Sequence, residues 1–150
     1  MHFQTKTTID TLDYSGENLN EGSKVIIAAA GRKKRKLAKS LPSINLCEGF
    51  TSFKLINQGI LAIEGFGDIN NLIVSLEKQN IEEIALITLV DDVNFVRKNF
   101  SNWIWVTFTR SDPAKDIYGL NTKIKDKHFS CSVPIIDARI KPHHAPVLES

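Results

Sequence analysis

The chain has 150 residues, of which 42% are hydrophobic and 24% charged, and its formal net charge is +2. This length fits one domain with a sizeable core, and the composition is that of a soluble globular protein. The near-neutral charge gives no general attraction to nucleic acid or membrane surfaces, and no apolar run approaches the roughly 20 residues of a transmembrane helix.

The amino-terminal residues 1–23 are polar and rich in Thr, Asp, Asn and Gly. We predict a polar arm or linker here, with one short strand near residues 3–9 and then a loop through Ser15-Gly16 and Asn20-Glu21-Gly22. So polar a segment cannot bury enough apolar surface to fold alone. We therefore expect it to lie on a partner or to come from a larger context.

The predicted α/β domain spans residues 24–140 and begins with a strand at residues 25–30. A short helix over residues 32–40 follows and ends before Pro42. It contains the basic run Arg32-Lys33-Lys34-Arg35-Lys36. We favour a solvated helix face over a phosphate or nucleic-acid site, because no aromatic residue lies among these bases.

The middle of the chain predicts a βαβ unit. A short edge strand at residues 53–56 precedes a stronger strand at residues 59–64. Asp68 is placed to cap a helix over residues 69–79, whose apolar residues recur at i, i+3, i+4 and i+7. The next strand, residues 84–90, is apolar or β-branched throughout, which is typical of a parallel strand covered on both faces. We expect a right-handed crossover between the two strands.

The segment 103–109 is rich in aromatic and β-branched residues and predicts a second buried-type strand. Side chains alternate along a strand, so Trp103 and Trp105 would share one face. We assign that face to the core and keep a contact surface for a partner as the alternative.

The carboxy-terminal third has a weaker pattern. Residues 119–132 predict a loop, and residues 133–138 a last short strand in which Pro134 indicates a sheet edge or a strand start. Residues 141–150 predict an exposed tail, in which two adjacent histidines lack the further ligands of a zinc site. Together the elements predict a three-layer α/β/α fold with a mixed sheet of about five strands.

Two acids follow the central strand, at the sheet edge where α/β proteins often place their chemistry. Asp91 and Asp92 could bind Mg²⁺ or share a proton. We favour a structural role, in which Asp92 caps the turn that begins at Val93 and Asp91 pairs with a base.

Arg110 is the base that we expect to pair with these acids. It is placed to hold Asp91, Asp112 or Asp116 by bidentate hydrogen bonds. We therefore predict a buried polar latch that joins two strand ends.

Two cysteines, Cys47 and Cys131, are far apart in the chain and form no CxxC pair. They indicate a reduced intracellular protein, with a single disulfide as the alternative. The first residues lack the apolar core of a signal peptide. We therefore predict a cytoplasmic protein.

Three stretches carry a family resemblance. The first is the acidic run Val90-Asp91-Asp92-Val93-Asn94, the second runs from Trp103 to Asp116 and includes Thr109-Arg110-Ser111-Asp112-Pro113, and the third is Ile136-Asp137-Ala138-Arg139. In this order they resemble the carboxy-terminal part of the UbiD decarboxylases, the 3-polyprenyl-4-hydroxybenzoate carboxy-lyase family. The chain departs from the family's pattern in having one acid fewer in the first stretch and Lys115 where Arg is usual. The matching positions are structural candidates: Asp91, Asp92, Asn94, Arg110, Asp112, Asp116 and Asp137.

The resemblance implies the carboxy-terminal, oligomerisation domain of a longer enzyme. Such enzymes use prenylated FMN and a divalent metal such as manganese to decarboxylate aromatic or unsaturated acids, as in ubiquinone or menaquinone biosynthesis. The catalytic and metal-binding residues are implied to lie upstream, so none is expected in this chain. The implied partners are the upstream flavin-binding domain and further copies of the chain, without nucleic acid. The alternative is a free-standing, non-catalytic α/β interaction module.

Overall fold

The computed structural model of the chain describes residues 1–8, 21–28, 30–126 and 128–144. In chain order its elements are β1 (His2–Thr8), β2 (Glu21–Ile26), β3 (Phe50–Asn57), β4 (Ile60–Gly65), α1 (Ile69–Glu77), β5 (Leu86–Val90), α2 (Val93–Lys98), α3 (Phe100–Thr109), β6 (Ile117–Leu120), β7 (Lys123–Lys125), β8 (His128–Ser130) and β9 (Val133–Asp137).

Five strands form the main sheet, in the order β3-β4-β5-β9-β6. The three central strands are parallel to one another, and the edge strands β3 and β6 are antiparallel to their neighbours. Helix α1 connects the parallel strands β4 and β5, which confirms the predicted βαβ unit. The α/β class and the mixed sheet of five strands are confirmed as well, while the hand of the crossover stays a prediction.

Apolar side chains cover both faces of this sheet. Leu61 and Ile63 of β4 belong to one core cluster, together with Leu72 and Leu76 of α1. Ala62, which lies between them in the strand, belongs to a second cluster with residues of α2 and α3. Because neighbouring side chains of a strand point to opposite faces, the helices lie on opposite sides of the sheet. This arrangement agrees with the predicted three layers.

Helix α3 replaces the strand predicted over residues 103–109. Its composition of Trp, Ile, Val, Thr and Phe favours a strand by propensity, but such preferences are readily overridden by tertiary packing. Asn99 caps the helix, and its side chain accepts the Asn102 N–H at 2.8 Å. This cap and a stripe of buried residues at helical spacing decide the local structure.

The two tryptophans therefore lie on different sides of α3. Trp103, Val106 and Thr107 are buried at i, i+3 and i+4, whereas 54% of Trp105 is exposed. The indole N–H of Trp103 donates to the Thr88 hydroxyl of β5 at 3.0 Å. The prediction of a shared face is wrong: Trp103 belongs to the core, whereas Trp105 is on the surface.

The amino-terminal strands β1 and β2 pair antiparallel in a separate two-stranded sheet, with Gln4 opposite Lys24. Strand β1 matches the strand predicted near residues 3–9. The strand predicted at residues 25–30 begins earlier, at Glu21, and ends at Ile26. The predicted loop lies outside the described residues at Ser15-Gly16 and Asn20, and it is wrong at Glu21 and Gly22, which begin β2.

The basic segment 32–40 is irregular where a helix was predicted. Like charges four residues apart, such as Arg32 and Lys36, destabilise a helix. The end of the segment is instead held by backbone hydrogen bonds: Ala38 donates to Glu83 at 3.0 Å, and Gly59 donates to Ala38 at 3.0 Å. The predicted helix is therefore wrong, and the bases lie beside the amino ends of β4 and β5.

The region predicted as a loop over residues 119–132 contains the end of β6 and the small sheet of β7 and β8. Strand β9 confirms the last predicted strand, although it lies inside the sheet and not at an edge. Pro134 is its second residue, so the strand-start interpretation is correct. The pairing of β9 with β5 begins one residue later, at Ile135, where a backbone N–H is again present.

Both cysteines are free thiols that are partly buried. The single disulfide that the sequence left as an alternative is therefore not formed. Burial raises the pKa of the Cys131 thiol. Among the described residues, every helix is too short or too polar to cross a lipid bilayer.

Candidate functional site

The carboxyl ends of the three parallel strands meet at one edge of the sheet. Asp91 follows β5, Asp137 ends β9, and Asp116 precedes β6, which runs antiparallel to β9 and so starts at the same edge. The topology thus gathers acids that are distant in sequence. Charged side chains around them form what we call the carboxyl-edge network: Asp91, Arg110, Asp112, Asp116, Asp137, Arg139 and Lys141.

Asp92 lies beside this network and caps α2. Its carboxylate accepts the backbone N–H groups of Asn94 at 2.8 Å and Phe95 at 2.9 Å. This confirms the predicted cap. The candidate residue Asn94 takes part in it through its backbone N–H and not through its side chain. The N–H of Val93 donates to Glu64 of β4 at 2.9 Å, so the start of α2 is also tied to a neighbouring strand.

Asp91 and Arg110 form the predicted ion pair, but through one hydrogen bond and not through the bidentate contact that was predicted. One guanidinium nitrogen lies 3.1 Å from a carboxylate oxygen, and each side chain exposes 17% of its surface. The Asp91 carboxylate also accepts the N–H of Ile140, at 3.0 and 3.2 Å from its two oxygens. Because Arg110 follows a helix and not a strand, the pair joins the end of β5 to the end of α3, and the Ile140 bond adds the segment after β9.

Asp112 and Asp116 stabilise the turn between α3 and β6. The Asp116 carboxylate accepts the N–H of Asp112 at 2.6 Å, and the Asp112 carboxylate accepts the N–H of Ala114 at 3.0 Å. The hydroxyl of Ser23, a buried residue of β2, donates to Asp112 and accepts the N–H of Ala114 at 2.8 Å. These bonds link strand β2 to the turn. The carboxylates of Asp112 and Asp116 are thus engaged within the turn, and Arg110 pairs with Asp91 and not with them.

Asp137 and Arg139 form the closest ion pair of the network. The guanidinium contacts both carboxylate oxygens, at 2.9 Å through Nε and 2.6 Å through Nη2. Its third nitrogen donates to the carbonyl oxygens of Gly65, the last residue of β4, at 3.2 Å and of Gly67 at 2.9 Å. Burial acts to raise the pKa of Asp137, but the hydrogen bonds and charge of Arg139 outweigh it and lower that pKa below its ordinary value.

Lys141 closes the network. Its ammonium lies 3.2 Å from the Asp116 carboxylate and donates to the carbonyl oxygens of Arg110 and Asp137, each at 2.9 Å. The side chain is 19% exposed, which corrects the predicted exposed tail at this position. Burial raises the pKa of Asp116 above its ordinary value, although the Asp112 N–H and the Lys141 charge act in the other direction.

Among the described residues of the predicted tail, His144 is also partly buried. Its Nδ1 accepts the Lys141 N–H at 3.1 Å, and its Nε2 is buried without a hydrogen-bond partner among the described residues. Burial and the charges of Lys141, His143 and Arg110 lower its pKa to about 4. The imidazole is therefore neutral at neutral pH. Residues 145–150 of the predicted tail lie outside the described residues.

The network does not fit a divalent metal. Within the described ranges, no group of three or more His, Cys, Asp or Glu side chains is arranged to hold a metal ion. The four aspartates are engaged by a cation or by backbone N–H groups. What the arrangement does chemically is neutralise charge and fix chain segments: it ties together the segments that follow β4, β5, α3 and β9.

Sequence reasoning placed five of the seven network residues among the candidates and missed Arg139 and Lys141. Arg139 belongs to the third stretch that carries the family resemblance. Arg139 and Lys141 both follow strand β9, which ends in Asp137. A base two or four residues after such an acid is a signal that could have found them. The contribution of Ser23 had no comparable signal, because it depends on how the hairpin lies against the turn.

A second feature lies on the outer side of α3. Four large apolar side chains are exposed there, with exposed fractions between 42% and 54%: Phe100, Ile104, Trp105 and Phe108. We call this set the α3 surface. It borders the network, because the Arg110 guanidinium lies 5.6 Å from the centre of the Trp105 ring. Contiguous exposed apolar residues of this kind mark contact surfaces in soluble proteins.

Comparison with known proteins finds relatives in Chlamydia. An uncharacterized protein of Chlamydia muridarum is 30% identical over 145 residues, which make up 96% of this chain and 25% of that protein. An uncharacterized protein of Chlamydia trachomatis is 29% identical over 147 residues, or 97% of this chain and 25% of that protein. A Chlamydia pneumoniae protein that is named as a subunit of 4-hydroxybenzoate decarboxylase is 28% identical over 146 residues, again 97% and 25%.

The chain thus spans about a quarter of the length of the curated relatives that it matches. No family model matches it, and no solved structure matches it. One distant relative bears the name of a decarboxylase component.

Proposed function

We propose that the chain is the carboxy-terminal, structural and oligomerisation domain of a UbiD-type, prenylated-FMN-dependent decarboxylase. The observation that carries the proposal is the similarity of nearly the whole chain to a quarter of the Chlamydia pneumoniae protein named as a 4-hydroxybenzoate decarboxylase subunit. The substrates would be aromatic or unsaturated acids that resemble 3-polyprenyl-4-hydroxybenzoate. The reaction would belong to quinone biosynthesis in the cytoplasm.

The carboxyl-edge network supports this proposal from the residues upward. The three stretches that carry the resemblance lie up to about 45 residues apart in the sequence, yet six of their charged residues fall in one network: Asp91, Arg110, Asp112, Asp116, Asp137 and Arg139. When two paired charges are partly removed from water, the loss of either one leaves the other poorly compensated. A shared structural role would therefore explain why these acids and bases occur together in the three stretches.

The prenylated flavin and its metal would be bound outside this chain, in the upstream flavin-binding domain. The aspartates of the described residues are already engaged with bases and backbone donors, so their donor set does not suit a metal such as manganese. When bound, the cofactor supplies the electron sink for decarboxylation. The residues of this chain would act by holding the carboxyl edge rigid and by contacting that domain or another copy of the chain.

A non-catalytic interaction module is the second candidate function. The α3 surface favours it, because four exposed apolar side chains on one helix offer a contact site that requires no enzyme. Both candidates need a partner, and they differ in whether that partner is a decarboxylase.

A chimeric enzyme tests the proposal. The quarter of the Chlamydia pneumoniae protein that matches this chain would be replaced by this chain, and CO₂ release from 4-hydroxybenzoate would be measured with prenylated FMN and Mn²⁺. The truncated protein without that quarter, and a chimera with an unrelated α/β domain of similar size, are the controls. We expect activity in the first chimera above both controls.

The outcomes separate the candidates. A soluble, flavin-loaded chimera that is no more active than the truncated protein would contradict the decarboxylase proposal. The interaction module would then be favoured if this chain still forms a complex whose stability depends on Trp105 and Phe108. Loss of that complex in the double variant Trp105→Ser/Phe108→Ser, with the fold intact, is the check.

A further inference from the structure

The basic segment that the proposed function leaves unused contributes to the lining of a surface cavity. The cavity has a volume of about 910 Å³, and Arg32, Lys33, Lys34 and Arg35 contribute to it. Pro134 near the start of β9 and Ala85 just before β5 also line it. It therefore extends from the amino ends of β5 and β9 to Ile117 and Tyr118 at the start of β6.

Positive charge dominates this cavity. No Asp or Glu is among the described residues that line it, and within the described ranges none of the four bases has a carboxylate partner. The fifth base of the run, Lys36, is outside the lining and lies 3.9 Å from Glu83. The cavity thus presents cations that no described carboxylate neutralises.

Arg35 is the cation held most firmly. Its guanidinium donates to the carbonyl oxygens of Ile84 at 2.9 Å and Ser132 at 3.1 Å. A guanidinium has five N–H donors, so these bonds fix its position and leave donors for an anion. A cation fixed in advance loses less side-chain entropy when it binds a ligand.

Apolar side chains also line the cavity. Phe3, Leu37, Ile117 and Pro134 are among them, beside the polar residues Tyr118, Ser130 and Ser132, and Phe3 exposes 37% of its surface. The volume falls within the range of about 300–1,000 Å³ that is usual for small-molecule sites, which combine an apolar lining with a few polar groups. A simple inorganic anion would gain nothing from the apolar side chains, and an uncharged apolar molecule would gain nothing from the bases.

We propose that this cavity binds an amphiphilic phosphate, with the phosphate against the basic side chains and the apolar chain or ring against the apolar side chains of the lining. A phosphate monoester carries nearly two negative charges at neutral pH and three acceptor oxygens, so it matches several unneutralised cations better than a carboxylate does. The inference goes beyond the proposed function and does not depend on it.

Calorimetric titration of the full chain with decyl phosphate, below its micelle concentration, tests the proposal. We expect saturable binding of one ligand per chain that weakens as salt is added. The double variant Lys33→Gln/Lys34→Gln should weaken binding about tenfold or more, because two charge-assisted hydrogen bonds are lost. Its matched control is Lys123→Gln/Lys125→Gln, which removes two exposed bases from β7 outside the cavity.

A second pair of variants tests the apolar part of the lining. Phe3→Ser should weaken the binding of decyl phosphate, whereas Ile124→Ser should not, since Ile124 is 78% exposed on β7 and does not line the cavity. Circular dichroism of each variant establishes that the fold is retained.

Four results would overturn the proposal. These are no saturable binding of decyl phosphate, equal affinity for inorganic phosphate, equal affinity for neutral decyl maltoside, and tighter binding of single-stranded RNA that the Lys33/Lys34 variant abolishes. Phosphatidylcholine vesicles with and without phosphatidic acid then separate two supporting outcomes. Binding that requires phosphatidic acid assigns a membrane lipid as the source of the ligand, and decyl phosphate binding without vesicle binding assigns a free amphiphile.

Discussion

The guanidinium of Arg110 lies 3.1 Å from the carboxylate of Asp91, and the same carboxylate accepts the backbone N–H of Ile140. One acid thus holds the ends of three segments: the strand β5 that precedes it, the helix α3 that ends at Arg110, and the chain after β9. Both charged side chains are largely shielded from water, with 17% of each exposed. Removing one partner therefore leaves the other charge poorly compensated.

Arg110→Ala should destabilise the fold clearly. The pair is less buried than the pairs for which a loss of about 3–5 kcal/mol is typical, so we expect a loss of about 2–3 kcal/mol in the free energy of unfolding. Urea denaturation measures it. Arg97→Ala removes an exposed arginine from the last turn of α2 and should cost less than about 1 kcal/mol. Equal denaturation midpoints for the two variants would show that Arg110 is not a latch.

Trp103 and Trp105 should respond very differently to substitution. Trp103 is 4% exposed and donates to Thr88, so Trp103→Phe loses a buried hydrogen bond and leaves a void, at a cost of about 2–3 kcal/mol. Trp105→Phe should change stability by less than about 0.5 kcal/mol, because the side chain is mostly in solvent. Thermal unfolding of the two variants provides the comparison. Similar losses would contradict the helical assignment of their faces.

An element of this fold could be predicted from sequence when its local residue pattern indicates the structure that it adopts. The periodic pattern of α1 with its cap at Asp68, and the continuous apolar run of β5, depend on local composition and were predicted correctly. Helix α3 was not, because its aromatic and β-branched residues prefer strands, and the cap at Asn99 was the contrary local signal. A buried stripe at Trp103, Val106 and Thr107 becomes evident once the sheet face that it covers is known.

The contacts of the candidate site also fall into those that the sequence predicts and those that it does not. The pairing of Arg110 with Asp91 and the cap at Asp92 follow from charge and position next to a strand end, and both are found in the structure. The convergence of Lys141 on Asp116 depends on β6 running antiparallel to β9. Strand order is a long-range property, so a sequence pattern alone could not bring these two residues together.

The pH dependence of stability should separate Asp137 from Asp116. The pKa of Asp137 is lowered in the folded chain, so its contribution is fully present above the ordinary value of 3.8 and is lost as the pH falls through the lower, folded pKa. The pKa of Asp116 is raised, so its ionisation costs stability above the folded pKa, and this cost is relieved as the pH falls.

The corresponding variants should therefore differ most at neutral pH. Asp137→Asn should be clearly less stable than the native chain there, and Asp116→Asn should lose less, since the amide oxygen can still accept the Asp112 N–H. Urea titrations at neutral pH and between about pH 2 and 5 measure the difference. The deficit of Asp137→Asn should shrink below its ordinary pKa. A deficit that stays constant with pH would contradict the stabilising role of the Asp137–Arg139 pair.

The chain by itself should neither decarboxylate an aromatic acid nor retain flavin. This expectation follows from the proposed function, which places the cofactor and the catalytic carboxylates in another domain. The purified chain would be mixed with prenylated FMN, Mn²⁺ and 4-hydroxybenzoate, and retained flavin and released CO₂ would be measured. Stoichiometric flavin retention, or CO₂ release above that of a buffer blank, would contradict the prediction.

The last prediction is that the chain self-associates through the α3 surface. Phe100, Ile104, Trp105 and Phe108 expose large apolar areas on one helix, and burying such areas against another copy removes them from water. A two-fold symmetric contact is the commonest solution, because one patch then serves both copies. We expect sedimentation to show a dimer or a larger closed assembly at micromolar concentrations.

Ile104→Glu/Phe108→Lys should shift this assembly to the 16.8 kDa monomer, because charged side chains would then have to be buried in the contact. Ile124→Glu is the matched control. It places a charge at an apolar residue that is even more exposed, 78%, but lies on β7 away from α3, so the assembly should persist. A native chain that stays monomeric into the high micromolar range would refute self-association. Open-ended aggregation that the α3 variant does not reduce would refute the symmetric contact, because unspecific sticking does not depend on one helix face.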